Sequence, residues 1–219
     1  SGLFNSIVGT EENKIFAIRL DNFEIENGQL VYRNAIKRQF EIIKNLNASL
    51  ELKSLAGPMR SLGSAVVRGV PVSFSAATGT VIQGRTLPVN VSLKMASGEV
   101  NIQFSGALTR LNHDPRLRGT FDFVGKNLTK SISAFASDLN LPERLGNSFS
   151  STGNIEATKS GAKISNLIVK LHDTQGTGSI EVKLNNTTEL NIQLAFNKFN
   201  LDSLLAPSVI ADLSRDTKD

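Results

Sequence analysis

The chain has no cysteine, which excludes disulfides and thiol chemistry and leaves its redox compartment open. It has two histidines, one tyrosine and no tryptophan among 219 residues. So few imidazoles leave little for transition-metal binding or general base catalysis. His113-Asp114 sits in a proline-containing turn and His172-Asp173 at a strand end, and no G-x-S-x-G elbow supplies a nucleophile for either. Both pairs read as polar turn residues, so no enzyme, cofactor or metal is expected. The scarcity of aromatic rings beside the basic residues also argues against single-stranded nucleic acid, despite a pI near 9.4. Finally, no uncharged run reaches the roughly 20 apolar residues that a spanning helix needs.

What the sequence does have is alternation. Val89, Val91, Leu93 and Met95 fall on one side of VNVSLKM, and Val100, Ile102, Phe104 and Leu108 repeat the rule in EVNIQFSGAL, with Asn, Ser, Lys and Gln opposite. Phe121 and Phe123 continue it in TFDFVG. Ile180, Val182 and Leu184 share a side further on, as do Leu190, Ile192, Leu194 and Phe196. A period of two predicts pleated strands with one apolar and one polar face.

Elsewhere the period slips. The apolar parity changes at Asp21-Asn22 and again at Ser165-Asn166, as a β-bulge would arrange it. Asn27-Gly28 reads as a two-residue hairpin turn, with Leu30 and Tyr32 inward on the return strand. Phe40, Ile42, Leu46, Ala48, Leu50 and Leu52 keep one parity, broken by Lys44, over a length that suits two strands or one long bent strand. Pro71 marks an edge or the start of a strand. The glycine-rich stretch from Asp173 to Ser179 reads as a hairpin loop, because no helix follows to make it a phosphate cradle. Residues 127–146 carry a helical stripe, Leu128, Ile132, Phe135 and Leu139, with Asn127 or Thr129 as cap; Pro142 opens a second short helix, and NLDSLLAP reads as a third. This helical pair is expected to plug one end of a sheet.

These elements predict an all-β fold with two or three short helices: a large, curved, mostly antiparallel sheet of about ten strands, forming a groove or an open sandwich. Residues 1–14 read as a lead-in, 15–205 as the β domain and 206–219 as a tail or linker. The net charge is +4, but residues 53–118 hold eight Lys/Arg against Glu99 and Asp114. A basic middle third points to anionic partners, either lipid head groups or nucleic acid, or else to a solvated outer strand face.

FEIENGQLVYRN (Phe23 to Asn34), EIIKNLNASLELKSLAGP (Glu41 to Pro58), short strands with Pro71 and Leu87-Pro88, FSGAL, an LP-x-x-L helix (Leu141, Pro142, Leu145) and LIVKLHDTQGTGSIEVKL follow in an order that resembles the AsmA family of bacterial envelope proteins. The likeness runs from about Ile15 to Leu205. It implies a periplasmic, β-rich body of a protein anchored in the inner membrane by a segment outside this chain, similar to bridge-like lipid transfer proteins. The expected ligand is phospholipid. Its acyl chains would lie against Val89, Val91, Leu93, Val100, Ile102 and Phe104, against Phe121 and Phe123, and against Ile180, Val182, Leu184, Ile192 and Leu194, with Arg68, Arg85, Arg110 and Arg118 meeting head groups. The role implied is lipid transport or outer-membrane homeostasis. The alternative is a non-enzymatic scaffold that pairs a sheet edge with other envelope proteins.

Overall fold

In a computed structural model, residues 19–34, 39–82, 85–111, 113–133, 148–171, 173–184 and 188–197 are described. They form one open antiparallel sheet of eleven strands in strict sequence order, a meander without a crossover. The strands are β1 (Leu20–Asn34), β2 (Gln39–Leu52), β3 (Met59–Val67), β4 (Val70–Thr78), β5 (Thr86–Met95), β6 (Val100–Thr109), β7 (Arg116–Gly125), β8 (Phe149–Thr158), β9 (Gly161–Leu171), β10 (Thr174–Leu184) and β11 (Thr188–Phe196). Extensive contact is confined to neighbouring strands, so among the described elements no second sheet packs on the first. The single layer follows from the alternation: each strand supplies one apolar row, and antiparallel hairpins set those rows side by side.

Where a strand breaks period two, a bulge restores the face. The register shifts between Leu20 and Phe23 in β1, as the parity slip at Asp21-Asn22 predicts. It shifts again in β9, where Asn166 at φ 51° puts both Ile164 and Leu167 on the apolar side. Asparagine tolerates this left-handed conformation better than most residues.

Two further bulges correct the sequence reading. Asn27, at φ 49°, is not a hairpin turn: β1 runs straight through it, with Gly28 opposite Leu46. Asn45, at φ 51°, is a bulge in β2, which is one strand. The extra residue keeps Leu46, Ala48, Leu50 and Leu52 on the apolar side together with Ile43, and sends Phe40 and Ile42 to the other side. There the Arg33 guanidinium lies 5.5 Å from the Phe40 ring centre. Asn47 ties the two bulges together, accepting from the Asn27 amide at 3.0 Å and donating to the Asn45 carbonyl at 3.0 Å. Asn-Gly chemistry permits positive φ in a turn or in a bulge, and pairing across the sheet decided between them.

The glycine-rich stretch is also corrected: Gly176 and Gly178 lie inside β10, paired with β11. Pro71 is the second residue of interior strand β4, a strand start and not an edge.

One α-helix, α1 (Leu128–Ser133), and a 3-10 turn at Ser97–Glu99 are the helical elements among the described residues. Asn127 caps α1, its Oδ1 accepting from the Lys130 amide at 2.8 Å. Gly98 at φ 70° lets the 3-10 turn close on α1; a Cβ there would sit 2.0 Å from the Ser131 Oγ. The helix thus stands at one end of the strands, and the core gathers there: Val70, Val72, Met95, Val100 and Phe149, with Leu128 and Leu171 packed on it. The rest of the expected stripe, the LPERLG helix, residues 1–14 and the tail lie outside the described residues.

Candidate functional site

The register places every sequence-derived lining residue on one face. Leu93, Ile102 and Phe123 stand in one row across β5, β6 and β7, and Val91, Phe104 and Phe121 in the next. On the far side of the β9 bulge, Ile180 lies opposite Ile164 and Ile192, and Val182 opposite Leu190. Val89, Val100, Leu184 and Leu194 share the same parity in their strands. With Phe23, Ile25, Leu50 and Ala48 at the other end, the apolar face runs through all eleven strands, about 48 Å at the usual strand spacing.

Its floor is built by a device the alternation did not reveal. Five phenylalanines lie over glycines of the same face. Phe74 covers Gly63, Phe121 covers Gly153, Phe149 covers Gly125 and Phe196 covers Gly176, each across a strand pair. Phe104 covers both Gly106 and Gly119, which face each other across β6 and β7. A Cβ at Gly63 would lie 2.5 Å from the Phe74 ring, and one at Gly125 2.5 Å from the Phe149 ring. A ring laid over a glycine shields exposed backbone and fills the gap, so the face is levelled and not knobbed. Glycines on the apolar parity of strand patterns were the available signal, hidden because glycine also marks turns.

Exposure is greatest toward the two edges. Leu190 is 61% exposed, Ile192 52% and Phe23 47%, whereas the end under α1 is buried. Within the described residues the face is therefore roofed at one margin only.

The opposite face carries the polar rows. A depression of about 500 Å³ opens between the row Arg60, Ala77, Asn90, Ser105 and Thr120 and the row Leu62, Ser75, Ser92, Gln103 and Asp122. A second, of about 450 Å³, involves Ser64, Ser73 and Lys94. Both are framed by polar rows, and Val91, Phe104 and Phe121 of the expected lining contribute to the first from the row between them. Rows of unlike polar side chains leave gaps, while the rings fill theirs. They are shallow and hold no group of three histidine or acidic side chains fit for a metal, so the apolar face remains the better candidate.

One cluster of charges on the polar face neutralises itself. Glu156 accepts from Arg118 at 3.0 Å and Arg116 at 3.1 Å. The Arg118 hydrogen bond, aided by the charges of both arginines and opposed by desolvation, holds the Glu156 carboxyl below its ordinary pKa. A depressed folded-state value stabilises the fold above the unfolded pKa, near 4.3, and that contribution disappears as pH falls through the folded value. Glu156→Gln is therefore expected to flatten the loss of stability on acidification below about pH 4.5, read from urea midpoints at a series of pH values. An unchanged slope would show that the contact is idle.

The four arginines expected at head groups are not together. Arg118 is on the polar face with Glu156. Arg68, at φ 50° in the β3–β4 turn, is bound to Glu41, with its Nε 2.9 Å from the carboxylate. Arg85 and Arg110 lie together at the other end of the strands from Arg68, in the β4–β5 and β6–β7 connections. His113 is exposed in the latter, and His172 falls outside the described residues.

No protein-family model, characterised protein or solved structure matches this chain.

Proposed function

We propose that the apolar face shelters the acyl chains of phospholipids, in the manner of the AsmA-like proteins whose motif order the sequence resembles. The observation that carries this reading is an apolar face continuous through eleven strands with no second sheet over it among the described elements. Apolar surface of that extent is costly in water, at roughly 25 cal/mol per Å², and it marks an interaction site. Hydrocarbon is a suitable cover, since each buried CH₂ returns about 0.8 kcal/mol. A levelled floor suits chains that lie along it in many positions. The role is non-enzymatic, the setting proposed with it is the periplasm, and the process is lipid transport or outer-membrane homeostasis.

Native mass spectrometry of the purified chain, with extraction of its lipids, is expected to find phospholipid bound. Delipidated protein that takes up no fluorescent acyl probe would overturn the proposal. A second reading, a scaffold that pairs through its sheet edge, is favoured by β11. That strand has no proline, lysine or bulge to protect its outer side, and Glu189 is its one charge. The same spectra separate the two: lipid-free oligomers would support edge pairing, and lipid-bound monomers the groove.

A further inference from the structure

Antiparallel order sends alternate hairpins to opposite ends of the strands, so one margin of the apolar face is made by the β2–β3, β4–β5, β6–β7, β8–β9 and β10–β11 connections. Four of these carry an exposed cation at or beside the turn: Lys53, Arg85, Arg110 and Lys159. Successive turns are two strands apart, about 10 Å, close to one Debye length at physiological ionic strength. The four form a row, and among the described residues none of them makes a salt bridge.

Two of the carboxylates around this row are already occupied: Asp114 lies 3.8 Å from Arg116, and Glu156 is held by Arg116 and Arg118. Glu51, next to this end of β2, stands opposite Arg60 in the strand register. The other margin differs: Arg68 is bound to Glu41, Lys126 lies 2.6 Å from Glu99, and Asp173 stands in the β9–β10 turn. Immediately inside the basic margin, on the apolar face, lie Leu52 and Met59 in one row and Leu87, Leu108 and Leu117 in the adjacent one. Positive charge beside hydrocarbon-compatible surface is the arrangement that fits an anionic amphiphile.

We infer that Lys53, Arg85, Arg110 and Lys159 form a basic rail that meets the phosphates of phospholipids whose tails lie on the apolar face. The inference rests on the acyl-binding reading and adds to it which margin faces the head groups. It retains Arg85 and Arg110 from the sequence-derived set, and replaces Arg68 and Arg118, whose charges are spent on Glu41 and Glu156. Equal spacing gives a phosphate similar partners at each step along the margin, so a lipid can shift along the sheet without losing its contact.

The test compares two fluorescent probes with identical tails, one bearing a phosphate monoester head and one an uncharged glycerol head. The intact chain is expected to bind the phosphate probe roughly five- to tenfold more tightly at low salt, and to lose the preference in about 0.5 M NaCl. The combined variant Lys53→Gln, Arg85→Gln, Arg110→Asn, Lys159→Gln is expected to bring the ratio near one; asparagine suits the positive φ of 55° at position 110. A double variant, Arg85→Gln with Lys159→Gln, serves if the combined one folds poorly, and is expected to show an intermediate ratio. A full preference retained in the variants would overturn the rail while leaving acyl binding intact. Displacement of the phosphate probe by glycerol phosphate alone would also overturn it, because the site would then be a plain anion site. Failure of both probes to bind would remove the acyl-binding reading itself.

Discussion

Phe104→Asp is expected to reduce acyl-probe affinity at least about thirtyfold, while lowering the melting temperature by only a few degrees. Phe104 stands near the middle of the face, opposite Val91 and Phe121, with its ring over Gly106 and Gly119. A carboxylate there stays hydrated in the lipid-free protein, because the side chain at that position is only partly buried. Covering it with hydrocarbon strips that hydration, at a cost of several kcal/mol. Loss of the ring also uncovers backbone, which accounts for the smaller loss of stability. Phe104→Leu separates the two effects: it keeps the face apolar but uncovers the glycines, and its probe affinity is expected to stay within about threefold of wild type. Equal probe affinity for Phe104→Asp and wild type, by fluorescence titration, would show that acyl chains do not cross this point.

The second large effect is on the fold. Gly106→Val is expected to destabilise by about 2–4 kcal/mol, or roughly 5–15 °C for a chain of this size. A Cβ at position 106 would sit 2.1 Å from the Arg118 carbonyl oxygen and 2.7 Å from the Gly119 Cα, so the clash is with backbone and cannot be relieved by a rotamer. The strands β6 and β7 would have to part, and the Phe104 ring would be lifted from its seat. Gly69→Ala is the control. Gly69 has φ 81° in the β3–β4 turn but no atom near a would-be Cβ, so only the conformational cost of about 1 kcal/mol remains. Calorimetric midpoints that fall equally for both would mean that the close approach of β6 and β7 contributes nothing.

The lining was legible because it depends on parity alone. Each of Val91, Phe104, Phe121, Ile180 and Ile192 was assigned by counting in twos along its own strand, and each strand is regular across those residues. The bulges at Asp21-Asn22 and Asn166 were legible for the same reason, since an apolar residue on the wrong count exposes the slip. Asn27 and Asn45 were not. Asn27 precedes glycine, and a turn and a bulge both ask for positive φ at such a pair. At Asn45 the count from Phe40 to Leu52 was broken only by Lys44, and a single charge does not say that Phe40 and Ile42 change sides. The placement of the basic residues was the least legible, because a charge near a turn can reach either margin, the polar face or a neighbouring carboxylate.

The sequence by itself determined that this chain makes pleated strands with one oily side, which residues form that side, and that no thiol accompanies them. Those properties are local: they follow from side-chain order along single strands. Only the tertiary structure decided that the strands lie in one uninterrupted meander with no described second sheet, that rings settle over glycines to level the floor, and that four cations line one margin while others are consumed by ion pairs. These are relations between residues far apart in the chain, fixed by register and by which neighbour each side chain meets.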